Sequence, residues 1–334
     1  MSKQSKSEQL YYTPDALLGH NAMLNMVMSA RGNGKTFAFK KKALSVEHQT
    51  MWVRRYSDDL PEVQNTFMTD LYREGLFTDR AISVRKNRLI MDGETKVIFV
   101  GLSTSFKKKS TSYADVDMIV FDEFIESRRN RNYLPDEVTM FLDLIETVNR
   151  LRLDRPEVRV FMLANRVTFA NPYFEFWHIK PFEQRFQRFQ GGLLVVENYS
   201  NELYKRLKHE SRFGRLVEGT KYSKYAIDNE TLWDNDAFIR AMPGDAKHLC
   251  NIRYSGIQMG LWTFADGLYL CDSYNMERLS YAERGDTRER ELPLVKNQPP
   301  VTGIRKAVEC CSIFFSDILV KGLCMELLND PLNQ

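Results

Sequence analysis

Two short stretches of this 334-residue chain hold side chains whose types and spacing can do chemistry. The first is Ser29-Ala30-Arg31-Gly32-Asn33-Gly34-Lys35-Thr36. Holding a polyphosphate needs backbone N–H groups turned into one concavity, with a helix N-terminus behind them. Gly32 and Gly34 permit that close backbone path. Lys35 is placed to neutralise the β- and γ-phosphates, and the Thr36 hydroxyl to bind magnesium. Such a loop usually opens with glycine. Ser29 stands there instead, which leaves the mechanical parts in place. Read blandly, the same residues are a solvated glycine turn before a basic helix.

The second stretch is Met118-Ile119-Val120-Phe121-Asp122-Glu123-Phe124. An apolar run puts Asp122 at a strand end, where it can hold magnesium through water. Glu123, next along, can orient and deprotonate an attacking water. Alone, this is an acidic strand end. Its place roughly 90 residues after the glycine loop, with strands between, suits a nucleoside-triphosphatase sheet. Glu directly after Asp favours hydrolysis over transfer to a small acceptor. Asn165 ends a later apolar run and can touch the γ-phosphate or the lytic water, or simply close a strand into a turn.

Basic groups elsewhere could act across a subunit boundary: Arg150, Arg152 and Arg155 after the acidic pair, and Lys107, Lys108 and Lys109 before it. Most such clusters are solvated faces. Arg54 and Arg55 can stack on a base, line the nucleotide pocket, or form ordinary salt bridges.

These groups need elements to carry them. Met23–Met28 reads as a buried strand ending at the glycine loop, and Phe37–Leu44 as a helix with Lys40, Lys41 and Lys42 on its exposed side. Met51–Tyr56 is a second strand, 59–75 a helix, and 81–101 two strands joined at Asp92-Gly93. Val116–Phe121 is the acidic strand. Pro135 opens a helix to about Leu151, with Val138, Phe141, Leu142, Ile145 and Val148 on its apolar face. Val158–Leu163 leads to Asn165. This alternation indicates an α/β fold, an open and largely parallel sheet with helices on both faces and ligands at the strands' carboxyl ends. Three regions are expected: residues 1–199 as the ATPase domain, 200–230 as a basic linker or helical module, and 231–334 as a smaller α+β domain. In the last, 252–273 reads as two strands turning at Asp266-Gly267, and 304–328 as helical.

Composition limits the alternatives. Hydrophobic residues are 43% and charged residues 27%, which is globular rather than disordered. With 47 basic and 44 acidic residues the net charge is only +3, so bulk charge does not announce a nucleic-acid binder. Five cysteines, none in a CxxC pair, suit a reduced cytoplasm better than a disulfide or zinc framework. Cys310 and Cys311 read as small core residues. No apolar run suits a signal peptide or a membrane span.

Taken in order, SARGNGKT, MWVRRY, MIVFDEFIESRRNRNYLPDEV, LANRVTFANPYFEFW and SRFGRLVEGTKY resemble the genome-packaging ATPases of small short-tailed phages of the phi-twenty-nine type, whose motor includes a prohead RNA. The matching blocks extend over most of residues 20–225. The rest matches mainly in GIQMGLWTFADGLYLCD, and large terminase subunits are similar more distantly. The resemblance implies an ASCE-type ATPase domain using ATP and magnesium, a linker, and an RNase H-like domain that has lost nuclease chemistry. It implies a homopentameric ring on the portal vertex of an empty prohead, driving double-stranded DNA inward. It puts Arg150 at the family's trans-acting arginine finger and Lys109 at a second trans-acting basic position. It also implies work in the host cytoplasm and absence from the mature virion. RNA contacts transfer least. The competing reading is a terminase with an active nuclease, for which Asp266 and Asp272 are the available carboxylates. A scaffold with a dead phosphate loop and a small-molecule kinase stand further off.

Overall fold

The computed structural model describes residues 10–108, 113–126, 133–150, 156–232, 234, 236–283, 287–288 and 290–329. They fall into two compact units, Met1–Val167 with Phe182–Leu232, and Thr168–Pro181 with Trp233–Gln334.

The strands of the first unit are β1 (Leu24–Ser29), β2 (Gln49–Arg54), β3 (Ile82–Arg85), β4 (Arg88–Met91), β5 (Glu94–Gly101), β6 (Val116–Asp122), β7 (Arg159–Asn165), β8 (Phe186–Phe189) and β9 (Leu194–Tyr199). Its helices are α1 (Asp15–Leu18), α2 (Lys35–Ser45), α3 (Leu60–Thr66), α4 (Thr69–Arg73) and α5 (Glu137–Asn149). The sheet order is β3-β4-β5-β2-β6-β7-β1-β9-β8. From β5 to β9 neighbours run parallel, and antiparallel strands close both edges. Successive strand residues point to opposite faces, and both faces are covered. Phe39 of α2 meets Phe161 at 4.9 Å on one side, and Phe141 of α5 meets Phe121 at 5.0 Å on the other. Trp52, Phe67 and Phe99 stack edge-on at 5.1 and 5.4 Å. Each such pair contributes roughly 0.5–1.5 kcal/mol beyond its burial.

Several sequence expectations need correction here. Segment 81–101 holds three strands, because Lys86 and Asn87 both take positive φ and make a second tight turn. Segment 59–75 is two short helices. Lys40 is not on an exposed side: it is buried, lies 5.4 Å from the Phe67 ring, and approaches Asp70 at 4.0 Å. On α5 the inward residue is Leu144, while Leu142 is half-buried.

The basic segment 200–230 lies in the first unit as α7 (Glu202–Glu210), α8 (Arg212–Leu216) and α9 (Lys221–Ala226), each opened by a capping side chain, Asn201, Ser211 or Thr220. Thr168–Pro181, with α6 (Pro172–Phe176), belongs to the second unit, so no single cut in the sequence separates the two.

The second unit has a six-stranded mixed sheet. Its elements are β10 (Lys247–Tyr254), β11 (Ile257–Phe264), β12 (Gly267–Cys271), β13 (Ser280–Ala282), β14 (Glu291–Pro293), α10 (Val301–Glu309), β15 (Ile313–Phe315) and α11 (Ile318–Asn329), with strand order β14-β13-β10-β11-β12-β15. Region 252–273 therefore contains parts of three strands, with a turn at Ser255-Gly256 besides the expected one. Strand β15 interrupts the expected helix 304–328. Cys310 and Cys311 are exposed rather than core, because they form the turn out of α10, with Cys311 at φ +53°. Val301, Ile304 and Ala307 of α10 pack with Val320, Leu323, Cys324 and Leu327 of α11. No helix among the described residues is long and apolar enough to cross a membrane.

Candidate functional site

The site is built where β1, β7 and β6, three adjacent parallel strands, reach their carboxyl ends. The loop from Ser29 to Gly34 leaves β1 and turns into α2. Ser29 and Ala30 are buried, and Arg31 is exposed. Gly32 and Gly34 have φ of +84° and +87°, which a side chain tolerates poorly. A Cβ on Gly32 would also meet the Tyr204 hydroxyl at 2.6 Å, and one on Gly34 the Tyr11 ring at 3.1 Å. Asn33 is buried, with its carbonyl bonded by Tyr12 N–H at 2.8 Å and its Oδ1 lacking a partner.

Lys35 opens α2 and is buried. Its Nζ donates to Asn165 Oδ1 at 3.0 Å. Burial pushes its ammonium down to about 8, while Asp122 and Glu123 pull it back up. Asn165 can reach Lys35 because β7 lies between β1 and β6. An added strand between the phosphate-loop strand and the acidic strand is the arrangement an ASCE-type sheet needs. Thr36 Oγ1 donates to Asp122 Oδ1 at 3.1 Å. Burial raises the Asp122 carboxyl, Arg54 opposes this most strongly, and the neighbouring Glu123 adds to it.

Glu123 follows Asp122 with φ +62°. This left-handed conformation costs a side-chain-bearing residue ~1–2 kcal/mol. Its side chain is 57% exposed, so water can reach it. Arg54 spans both acids: Nη1 lies 3.3 Å from Asp122 Oδ2, and Nη2 lies 2.6 Å from Glu123 Oε2. Arg54 thus bridges the two carboxylates of the candidate site.

The donor set fits magnesium. That ion prefers oxygen ligands, keeps several waters, and takes one or two carboxylates. A threonine hydroxyl already meeting a buried aspartate offers this, and Lys35 beside them offers a cation for phosphate.

The remaining candidates are placed unevenly. Arg150 caps the far end of α5 and is exposed, with its N–H bonded to Glu146 O at 2.9 Å. Lys109, Arg152 and Arg155 lie outside the described residues. In the second unit, Asp272 is not free for metal: Lys180 Nζ lies 2.5 Å from its Oδ2 and 3.3 Å from Asp317 Oδ2. Among the described residues no group of three or more His, Cys, Asp or Glu could hold a metal.

Sequence reasoning missed the tyrosines. Tyr11 and Tyr204 lie against the glycine loop with ring centroids 6.3 Å apart. Buried Tyr225 of α9 lies near the Asn165 side chain, in the fields of Arg31 and Glu123. The two loop glycines were the signal that something packs closely there. Nothing in the spacing names which residue does.

Three similarities bear on this geometry. The DNA packaging protein of Bacillus phage phi29 is 35% identical over 96% of this chain and 97% of its own length. A chain of the bacteriophage phi29 viral genome packaging motor assembly superposes with TM-score 0.76 at 30% identity, covering 96% of this chain and 99% of that one. The crystal structure of the N-terminal domain of the DNA packaging ATPase from bacteriophage phi29 gives TM-score 0.52 at 34% identity, covering 58% of this chain and 98% of that domain. The family described as Podovirus DNA encapsidation protein (Gp16) matches residues 6–312, and the chain belongs to that family.

Proposed function

We propose that this chain is the ATP-hydrolysing subunit of a ring motor that drives viral double-stranded DNA into a preformed prohead. One observation carries the reading: Lys35, Thr36, Asp122 and Asn165 meet at three adjacent strand ends, with exposed Glu123 beside them. Backbone N–H groups of residues 30–35 would cradle the phosphates, with Lys35 moving from Asn165 to the β- and γ-oxygens. Thr36 and Asp122 would hold magnesium, which screens phosphate charge when bound. Glu123 would take the proton of the attacking water once Arg54 no longer occupies its carboxylate. Asn165, released by Lys35, would face the γ-phosphate.

Arg150 would complete a neighbour's site. Helix α5 has 13 residues, so its ends lie roughly 20 Å apart. Its first residue, Glu137, accepts from Arg55 Nε at 2.7 Å, and Arg55 also bonds the Glu123 carbonyl, which would set Arg150 about a helix length from its own phosphates. Hydrolysis then requires the ring, proposed as a pentamer on the portal vertex, with Lys109 as a second trans-acting group and a prohead RNA as a further partner. Basic loops would grip DNA phosphates without reading sequence. The domain after the 200–230 module is proposed to be RNase H-like and without nuclease chemistry. The protein would act in the host cytoplasm, dock transiently at the portal vertex, and be absent from the finished particle.

The test is ATP turnover by the purified chain, alone and with proheads and linear double-stranded DNA. Turnover that rises strongly only with both supports the motor. High turnover by isolated monomers, indifferent to both, refutes it.

A further inference from the structure

Arg54 and Arg55 are neighbours in sequence with different surroundings. The Arg55 side chain is buried, only 4% exposed. Its Nε donates to Glu137 Oε2 at 2.7 Å, and the Glu137 side chain is itself fully buried. Its Nη2 donates to the Phe124 carbonyl at 2.6 Å, and its Nη1 to the Glu123 carbonyl at 3.3 Å. Glu126 Oε2 lies 3.4 Å from Nη1, and the Tyr133 ring lies 4.7 Å from Cζ. Glu137 also accepts from Leu134 N–H at 2.8 Å, which fixes the entry to α5.

These bonds converge on the strained residue. Glu123 keeps a positive φ, and such a conformation persists only where the surroundings enforce it. Phe124 N–H bonded to Leu163 O at 3.1 Å holds one side of the turn. The guanidinium holds the two successive carbonyls that follow the Glu123 Cα, those of Glu123 and Phe124. With the carbonyls drawn to Arg55, the Glu123 carboxylate is presented on the side where Arg54 meets it. A planar fork of donors can bridge two carbonyls and a carboxylate together, whereas a lysine ammonium cannot reproduce that geometry.

We propose that Arg55 is a positioning residue for hydrolysis: it fixes the backbone from which Glu123 reaches the lytic water, and through Glu137 it locks that backbone to the first turn of α5. The proposal rests on the assignment of Glu123 as the base. Arg55 is buried on the Glu123 and Phe124 carbonyls and Glu137, and it acts through Glu123. A displacement of about 1 Å in such a group can cost 10²-fold in rate. The clamp also ties a subunit's own base to the helix that ends in Arg150.

The experiment uses the full chain assembled on proheads with DNA. ATP affinity and the single-turnover hydrolysis rate are measured for Arg55→Lys, Glu123→Gln and the double variant. Arg55→Lys should bind ATP within about threefold of wild type and hydrolyse it about 10–100-fold more slowly. The double variant should be no slower than Glu123→Gln alone, because both changes disable one unit. For Arg55→Ala, millimolar guanidinium should restore part of the rate. If that variant does not fold, Arg55→Lys decides. Wild-type hydrolysis by Arg55→Lys beside an inactive Glu123→Gln would overturn this proposal alone. So would losses that multiply in the double variant, or a lowered unfolding midpoint with an unchanged rate per folded site. Full activity of Glu123→Gln would remove the base assignment, and this proposal with it.

Discussion

Glu123→Gln separates binding from chemistry more cleanly than any other change in the site. The substitution removes the proton acceptor and leaves Lys35, Thr36 and Asp122 in place. The amide oxygen can still accept from Arg54 Nη2, which lies 2.6 Å from the carboxylate it replaces. The lost ion pair is half-open to water, with the glutamate side chain 57% exposed, so it is worth at most about 1 kcal/mol, or roughly fivefold in any equilibrium. Loss of a positioned base costs about 10²–10⁴-fold in rate. Affinity and rate should therefore part company by at least an order of magnitude. Affinity should stay level or tighten, because Arg54, held less firmly, yields Asp122 more readily to magnesium. The assay pairs a fluorescent ATP analogue, for the dissociation constant, with single-turnover hydrolysis on DNA-engaged proheads. Hydrolysis within threefold of wild type, with binding intact, would mean that another group takes the proton.

Arg150→Ala and Lys35→Ala should each be inactive in homogeneous rings. Mixed rings should recover turnover, because some interfaces pair an intact phosphate loop with an intact arginine; verified mixed rings without recovery count against a trans-acting Arg150. In the second unit, burial together with the charge of Glu326 raises the Glu175 carboxyl from 4.5 to about 8. Between those values the folded state holds a proton that the unfolded state has released, so stability falls as pH rises through that window. Glu175→Gln should flatten the slope and raise stability at pH 8 by urea unfolding; an unchanged pH profile would refute the assignment. Incubation with manganese and linear or supercoiled DNA should give no cleavage, and cutting that vanishes in Asp272→Asn would restore the nuclease reading.

The phosphate loop and the acidic strand were legible because each is announced locally. An apolar run stops, and the residues just beyond it must sit at a sheet's carboxyl edge. Asn165 was legible for the same reason, though not its bond to Lys35, which depends on β7 entering between β1 and β6. Arg55 could not be read as a clamp, since its carboxylate partner is 82 positions away and its other acceptors are main-chain carbonyls without side-chain identity. The Lys86-Asn87 turn was missed because it achieves positive φ without glycine. Lys40 was misplaced because helical spacing cannot foresee an aromatic ring that shelters an aliphatic stem. The adjacent cysteines misled because apolar composition ran unbroken across a turn.

The excursion of Thr168–Pro181 into the second unit has a consequence for synthesis of the chain. Tyr173 and Phe174, both fully buried in the finished protein, leave the ribosome early. Their unit resumes only at residue 233, after β8, β9 and three helices of the first unit have been made. At the usual elongation rate of about 5–20 residues per second, those rings wait about 3–12 seconds before their unit resumes and about 8–30 seconds before its last core helix is made. The first unit, meanwhile, is complete in sequence by Leu232 and can fold while that segment is still waiting. Genetic exchange meets the same interleaving: a crossover that imports a relative's second unit at residue 232 leaves the native Thr168–Pro181 behind. The imported core must then accept a segment it did not evolve with, unless a second crossover brings the matching piece.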